Sequence, residues 1–288
     1  TLFSTPVVED GKLVGVVVDG KSGRGVIRAK FFVDATGDAD LCRRLGMDTY
    51  RYDALLPPTA CAFLDGWPQD GAPNFGRLLA EHGAERDVPD GFVWGEQLPG
   101  TGIYMLAGTR IQHADCSESL DLTRAEIEGR RQVGALLDLY QEHSEGPAGV
   151  CLHDFPSSIG IRDTRHVRGQ YTVKTDDVLH GRRFDDAIAN GSYRADTHHQ
   201  DRPGITFLYL DGTSAYCRPG RPPEQSRWRE PVEADPTFYQ VPLRALIPPE
   251  VPNVAFAGRM VDAEKTAFGA LRVMVNTNQM GEAAGVAA

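Results

Sequence analysis

The chain lacks an excess of positive charge. Its 288 residues include 30 lysines and arginines against 40 aspartates and glutamates, which gives a net charge of −10. Because non-specific binding to nucleic acid depends on a basic surface, the composition argues against a nucleic-acid partner. The sequence also lacks any apolar run approaching the roughly 18 residues of a membrane span. We therefore expect no membrane partner either.

Cysteine is scarce and irregularly placed. The five cysteines are Cys42, Cys61, Cys116, Cys151 and Cys217. Their number is odd and no pair has CxxC spacing, which argues against a disulfide scaffold and a zinc ribbon. Reduced thiols in a cytoplasmic protein are the expectation.

A metal-ligand set is also missing. His198 and His199 stand beside each other, with Asp196 and Asp201 nearby. Adjacent side chains of an extended chain point apart, and no third ligand has suitable spacing. We therefore predict no metal site.

The sequence contains no G-x-G-x-x-G dinucleotide fingerprint. The nearest candidate, formed by Gly20, Gly23 and Gly25, has the wrong spacing and stands between two strand-like runs, which is typical of a hairpin connection. The chain also opens on Thr1 in strand-like sequence and stops inside an alanine-rich helix pattern without a capping residue. These features predict a fragment.

Three strand-like runs open the chain, at residues 2–8, 13–19 and 25–33. The turn dipeptide Asp10-Gly11 separates the first run from the second, and Asp19-Gly20 separates the second from the third. They predict an antiparallel β-meander. The third run leads into Ala35-Thr36-Gly37-Asp38, where Gly37 permits close approach of the backbone and Thr36 offers a small hydroxyl. The alternative is a strand-ending turn that caps a helix at residues 39–45.

The end of the chain has the pattern strand, loop, helix. Residues 254–257 predict a short buried strand that stops at Gly258, and a polar loop follows. Asn276 and Thr277 are placed to cap a helix whose Gly281 and Gly285 lie on one face. Side-chain-free positions on that face would admit a strand or a flat ligand. A helix start also presents unpaired N–H groups and partial positive charge.

Four sequence blocks in one order carry a family resemblance. They are FVDATGDAD at residues 32–40, RDTR at 162–165 with Gly169 and Tyr171, VPLRALIP at 241–248, and the tail with AGR at 257–259, GALRVM at 269–274 and GEAAG at 281–285. The chain resembles FAD-dependent oxidoreductases of the glutathione-reductase-like superfamily. In that family the glycine fingerprint precedes the first of these blocks, so the missing N-terminal part of the FAD domain is an expected partner of this chain.

The resemblance implies an α/β fold with an α+β insert. Residues 1–50 and 236–288 would form a partial FAD/NAD(P)-binding Rossmann-like domain with the antiparallel β-meander, and residues 51–235 an inserted substrate domain.

The residue pattern predicts further elements. Within the insert, the apolar periodicity of residues 120–143, which includes Ile127, predicts a helix. Short helical stretches are predicted from Thr175 and at residues 184–189, and a strand at 239–247.

The resemblance implies FAD as the cofactor. The implied cofactor-binding residues are Ala35, Thr36, Gly37, Asp38, Gly258, Arg259, Gly269, Leu271, Arg272, Asn276 and Thr277. The amides around Asn276 and Thr277, with the cation of Arg272, would stabilise the negative charge of reduced flavin. The alternative for Arg272 is a salt bridge to Asp262 or Glu264.

The densest polar cluster is residues 162–166. Strand alternation would send Arg162 and Thr164 to one side and Asp163 and Arg165 to the other. By resemblance the block lies near the flavin, so Arg162, together with Arg244 of the later block, is a candidate for holding an anionic substrate group. Arg165 and His166 are candidate catalytic residues. The alternatives are ion pairs between domains, a hydrogen-bonding role for His166 and a structural role for Arg244.

The first functional hypothesis is an FAD-dependent oxidoreductase that transfers a hydride between flavin and a small organic substrate. The alternatives are a binding or assembly module without its own cofactor, and a hydrolase or lyase that uses paired carboxylates. We expect the isolated fragment to bind FAD weakly and to be inactive, because its diphosphate-binding part is missing. The oligomeric state is open, a homo-oligomer included.

Overall fold

A computed structural model describes residues 2–68, 74–143, 149–199 and 202–288. The strands are β1 (Leu2–Glu9), β2 (Lys12–Gly20), β3 (Gly23–Arg28), β4 (Phe32–Asp34), β5 (Thr49–Tyr50), β6 (Cys61–Asp65), β7 (Trp94–Gln97), β8 (Tyr104–Ala107), β9 (Cys151–Asp154), β10 (His166–Val167), β11 (Ala187–Gly191), β12 (Ala195–His198), β13 (Ile205–Leu208), β14 (Thr213–Cys217), β15 (Glu224–Arg227), β16 (Tyr239–Pro242) and β17 (Val254–Phe256). The helices are α1 (Asp40–Arg44), α2 (Phe75–His82), α3 (Ser119–His143), α4 (Thr175–Leu179), α5 (Lys265–Leu271) and α6 (Met274–Ala287), with 3₁₀ turns at Gly83–Arg86 and Leu243–Leu246.

The predicted meander is present, but its third strand is divided. β1, β2 and β3 form an antiparallel sheet whose first turn places Asp10 and Gly11 at positive φ. The third predicted run does not continue to Val33. β3 ends at Arg28, and the separate strand β4 pairs in parallel with β17. The physical reason is burial, because β3 is exposed along its length while Phe32 must reach the core.

The β4–β17 pair positions the two loops of interest. Val254 and Phe256 are fully buried and share a core with Phe32 and Met260. Since the two strands are parallel, their carboxyl ends lie at one edge, where the loops after Asp34 and after Phe256 emerge. Among the strands that the structure describes, the other ladders are antiparallel. The α/β class is confirmed, and the Rossmann-like layering stays a prediction.

The middle of the chain has its own sheet and core. β7, β8, β6 and β9 form an antiparallel sheet, and Val133, Leu136 and Tyr140 of α3 belong to its core. The helix predicted at residues 120–143 is confirmed and begins one residue earlier. Its predicted apolar face was wrong at Ile127, which is exposed.

Three other predicted elements differ in the structure. Residues 184–189 were predicted to be helical, but Ala187–Gly191 is strand β11, which pairs with β16 some fifty residues later. The strand predicted at 239–247 ends at Pro242 and continues as a 3₁₀ turn. The polar loop predicted before Gly269 contains α5. None of the described helices is long and apolar enough to span a bilayer.

Candidate functional site

A cavity of about 660 Å³ opens where α6 begins. Its apolar wall consists of Phe92, Trp94, Ile205, Phe207, Val273 and Met274, and its polar wall of Arg162, Tyr193, Arg194, Asp196, His198 and Arg272. These residues come from the 162–165 segment, the β12–β13 hairpin and the two residues before it, the start of β7 and the loop before it, and the junction between α5 and α6. The fold therefore brings together residues as distant in the chain as Phe92 and Met274.

Arg272 and Asp196 form the central ion pair of this cavity. The Arg272 guanidinium donates to Asp196 Oδ1, and both side chains are about nine-tenths buried. Tyr193 donates its hydroxyl to Asp196 Oδ2 at 3.2 Å. Among the described residues, Arg272 Nε has no hydrogen-bond partner. The ion-pair alternative for Arg272 is therefore present, although the partner is Asp196 and not Asp262 or Glu264.

Arg162 is the second cation of the polar wall. Its Nη1 donates to the carbonyl of Pro57 at 2.7 Å and to Thr59 Oγ1. Loss of solvent, and then repulsion from Arg272, lowers the pKa of Arg162 to about 10. The guanidinium remains charged at neutral pH, in surroundings that favour an added negative charge.

His198 is neutral and has a defined tautomer. Arg110 Nη2 lies 3.1 Å from His198 Nδ1. Because arginine can only donate, Nδ1 accepts, and the ring hydrogen is on Nε2, 3.7 Å from Asp196 Oδ1. Burial and the positive charges of Arg162, Arg272 and Arg110 hold the pKa of His198 well below its usual value. The ring therefore offers one N–H donor close to the cavity carboxylate.

This lowered pKa predicts an acid-sensitive stability. The groups that face His198 are Arg110, Arg162, Arg272, His199 and Asp196. In the unfolded chain the ring binds a proton near its ordinary pKa of about 6.5, whereas in the fold it does not, so stability falls as the pH drops below about 7. Between pH 7 and pH 5.5 the free energy of unfolding is expected to fall by about 1 kcal/mol less in His198→Gln than in the wild type. Urea unfolding at the two pH values measures this, and an equal loss in both proteins would contradict it.

The start of α6 lies two residues earlier than predicted. The helix begins at Met274, and the amides of Asn276 and Thr277 both donate to the Val273 carbonyl at 3.0 Å. The Asn276 side chain is buried and donates to Tyr239 Oη and to the Ala270 carbonyl, each at 2.9 Å. Val273 and Met274, not Asn276 or Thr277, line the cavity.

The glycines of the tail have different roles from those predicted. A Cβ on Gly281 or Gly285 would meet no atom within 4 Å, so no described strand packs closely on that helix face, and the approach of a ligand there stays a prediction. A Cβ on Gly269 would lie 2.3 Å from the carbonyl oxygen of Asp196. Gly269 therefore lets α5 pack directly on β12, and the buried Leu271 anchors the same helix. This packing holds Arg272 beside Asp196.

The second candidate cofactor segment follows β4. Thr36 Oγ1 donates to Asp34 at 2.8 Å and accepts from the amide of Asp40 at 3.0 Å. Thr36 therefore accepts from the first amide of α1, although the N-cap residue of that helix is Ala39, which makes no side-chain capping bond. Ala35 is exposed beside it, and Gly37 has a φ of 82°.

Arg259 joins the loop after β4 to the loop after β17. Its Nη1 donates to the Gly37 carbonyl at 2.6 Å and to Asp38 Oδ1 at 2.9 Å. Gly258 has a φ of 98°, and a Cβ there would meet no atom within 4 Å. Open room beside a backbone that only glycine readily adopts lets a ligand approach the chain closely.

Residues 162–165 connect this loop pair to the cavity. Thr164 Oγ1 donates to Asp38 Oδ1 at 2.7 Å, and Arg165 Nη1 to the Asp38 carbonyl at 2.8 Å. Two residues before Thr164, Arg162 lines the cavity. The segment is irregular, so the alternation predicted for a strand was wrong: Thr164 and Arg165 both bond to Asp38.

The structure places the other predicted site residues away from this cavity. His166 is fully buried, and its two ring nitrogens contact the Val261 carbonyl and Asp163, each at 3.0 Å. Arg165 is buried against Asp40 and the Ser117 carbonyl. Arg244 pairs with Asp186 and stacks on Tyr171 and Phe184.

Sequence reasoning missed the role of Asp196 and His198. They were considered only as metal ligands, and the described residues hold no group of three or more metal-ligating side chains. Their i, i+2 spacing in a short strand places both on one face, which is a usable signal for a shared site. Arg110 carried no such signal, because its contact with His198 spans 88 residues.

One of three comparisons with known proteins agrees with the resemblance. A family model described as FAD dependent oxidoreductase matches residues 1–288. A comparison with curated proteins gives no match. A solved structure reported as "Structural and Functional Studies of BexE: Insights into Oxidation During BE-7585A Biosynthesis" is similar to 58% of this chain at 20% sequence identity with a TM-score of 0.34. The matched part is 30% of that chain.

Proposed function

Because this chain belongs to the FAD-dependent oxidoreductase family, we propose that it serves hydride transfer between flavin and a small organic substrate held in the 660 Å³ cavity. The family's cofactor is FAD, and its function is flavin redox chemistry. The observation that carries the proposal is the position of Arg272 and the start of α6. Arg272 and the first residues of α6 line the same cavity, and its opposite wall is largely aromatic and apolar.

The residues present fit FAD. Arg272 Nε is a buried donor without a described partner, which an acceptor on the ligand would satisfy. Gly258 leaves open room beside the chain at the carboxyl end of a parallel strand pair, where ligands of open α/β sheets bind. Arg259 supplies a cation at the same loop. When bound, FAD supplies the two-electron chemistry. The protein binds and orients the cofactor and the substrate and provides the electrostatic environment.

The chain's own residues would create a positive electrostatic potential in the cavity and exclude water from it. The start of α6 favours negative charge by about 0.3–1 kcal/mol when exposed and up to about 2 when partly buried. Arg272 adds a guanidinium group that lines the cavity, held in place by Asp196, whose carboxylate offsets part of its charge. The aromatic wall formed by Phe92, Trp94 and Phe207 displaces water, which strengthens these interactions.

The test is flavin retention by the product of the complete gene. We expect a yellow protein whose flavin absorbance bleaches on reduction. Gly258→Ala should weaken FAD retention at least about fivefold, because the added methyl group fills room beside the backbone. Gly11→Ala is the matched control, since Gly11 also has positive φ and open room but lies in the β1–β2 turn.

A correctly folded, colourless protein would contradict the proposal and favour a cofactor-free binding module or a hydrolase. Equal FAD retention by the two glycine variants would remove Gly258 from the cofactor site.

A further inference from the structure

We propose that the substrate of this cavity is an organic acid, whose carboxylate is bound by Arg162 together with the Nε2–H group of His198, and whose apolar body lies against the aromatic wall. The proposal deepens the proposed function, on which it rests for the identity of the site. It assigns a substrate class and two binding residues.

The first support is the charge of the cavity wall. Among the described residues that line the cavity, three carry guanidinium groups, Arg162, Arg194 and Arg272, and one, Asp196, carries a carboxylate. Arg272 already engages that carboxylate, and His198 adds no negative charge. Partly buried cations in excess of their counterions are costly, and a bound anion offsets that cost. The wall is therefore complementary to an anionic ligand.

The second support is the set of unused donors. Nε of Arg194 is buried without a hydrogen-bond partner among the described residues. His198 presents its Nε2–H, because Arg110 fixes the other ring nitrogen as an acceptor. All these groups donate. A ligand that meets them must bring acceptor oxygens, and a carboxylate brings two.

The third support separates an organic acid from a small inorganic anion. Phe92, Ile205 and Phe207 line the same cavity, and Arg194 stacks on the Phe207 ring at 4.0 Å from its centroid. An inorganic ion would leave this wall in water, whereas an apolar body of the substrate would cover it. The volume of about 660 Å³ lies in the range of small-molecule sites.

The test compares benzoate with its neutral isostere benzamide on the oxidised holoenzyme from the complete gene, by calorimetry and by the flavin difference spectrum. We expect benzoate to bind at least about tenfold more tightly than benzamide, because only benzoate brings a charge-assisted partner for Arg162. Sulfate should bind more weakly than benzoate. Equal binding of benzoate and benzamide, no binding of benzoate, or a preference for sulfate would each overturn the proposal.

Two variants test whether Arg162 binds the carboxylate. Arg162→Met should weaken benzoate binding by about 30-fold or more, since it removes one partner of a desolvated ion pair. Arg244→Met is the matched control: Arg244 pairs with Asp186 outside the cavity, and its replacement should leave the affinity within about twofold. An Arg162→Met protein that binds benzoate as the wild type does would also overturn the assignment. The comparison of benzoate with benzamide on the wild type holds even if the variant does not fold.

The two proposals fail in different ways. A yellow preparation that does not discriminate benzoate from benzamide overturns the substrate class and leaves the flavin function intact. A colourless preparation contradicts the flavin function, while calorimetry with benzoate still measures the anion site.

Discussion

Replacing Asp262 with alanine is expected to lower the free energy of unfolding by about 3–5 kcal/mol. The carboxylate is fully buried and accepts from Tyr50 Oη and the Gly169 amide, each at 2.9 Å, and from Thr172 Oγ1 at 3.0 Å. Arg168 approaches it at 3.3 Å. Alanine would leave the Gly169 amide, the Thr172 hydroxyl and the Arg168 cation without this acceptor, whereas Tyr50 would keep its contact with the Ala263 carbonyl. Each unmet buried donor is costly.

Urea unfolding of the wild type and the variant measures this loss. Asp19→Ala is the matched control, because Asp19 also forms an arginine pair, with Arg24, but on the exposed meander. Exposed ion pairs contribute little to stability, so its effect should be a small fraction of that at Asp262. Comparable losses at the two positions would show that the Asp262 network does not hold the loop between β17 and α5.

Gly269→Ala is expected to destabilise the protein by about 3 kcal/mol, at the upper end of what overpacking costs. The new Cβ would lie 2.3 Å from the backbone oxygen of Asp196, which cannot rotate away as a side chain would. α5 and β12 must therefore separate, and with them Arg272 and its partner Asp196.

The control for Gly269 is Gly281→Ala in the exposed part of α6. A Cβ there meets nothing within 4 Å, so the substitution should stabilise the helix by about 0.5–1 kcal/mol. The two glycine variants are thus expected to shift the urea midpoint in opposite directions. A stabilised Gly269→Ala protein would contradict the close packing of α5 on β12.

The functional prediction depended on local sequence blocks, and these were sufficient for the family. The FVDATGDAD and AGR blocks lie at the carboxyl ends of β4 and β17, and the structure joins them through Arg259 and Asp38. The expectation that Arg162 and Arg272 belong to one region also agrees with the cavity, which both of them line. Short-range patterns carried this information because each block combines a strand end with its own loop.

The sequence by itself determined the meander turns, the buried strand β17, the helix α3 and the family. Each depends on residues close together in the chain, where periodicity and turn chemistry act directly. Only the tertiary structure decided that residues 187–191 form a strand, that Gly269 and not Gly281 is the close-packed glycine, and that Asp196 and His198 line the cavity. The physical reason is distance along the chain. A strand, a close-packed glycine and an ion pair each need a partner tens of residues away in the chain. No local sequence pattern specifies that partner.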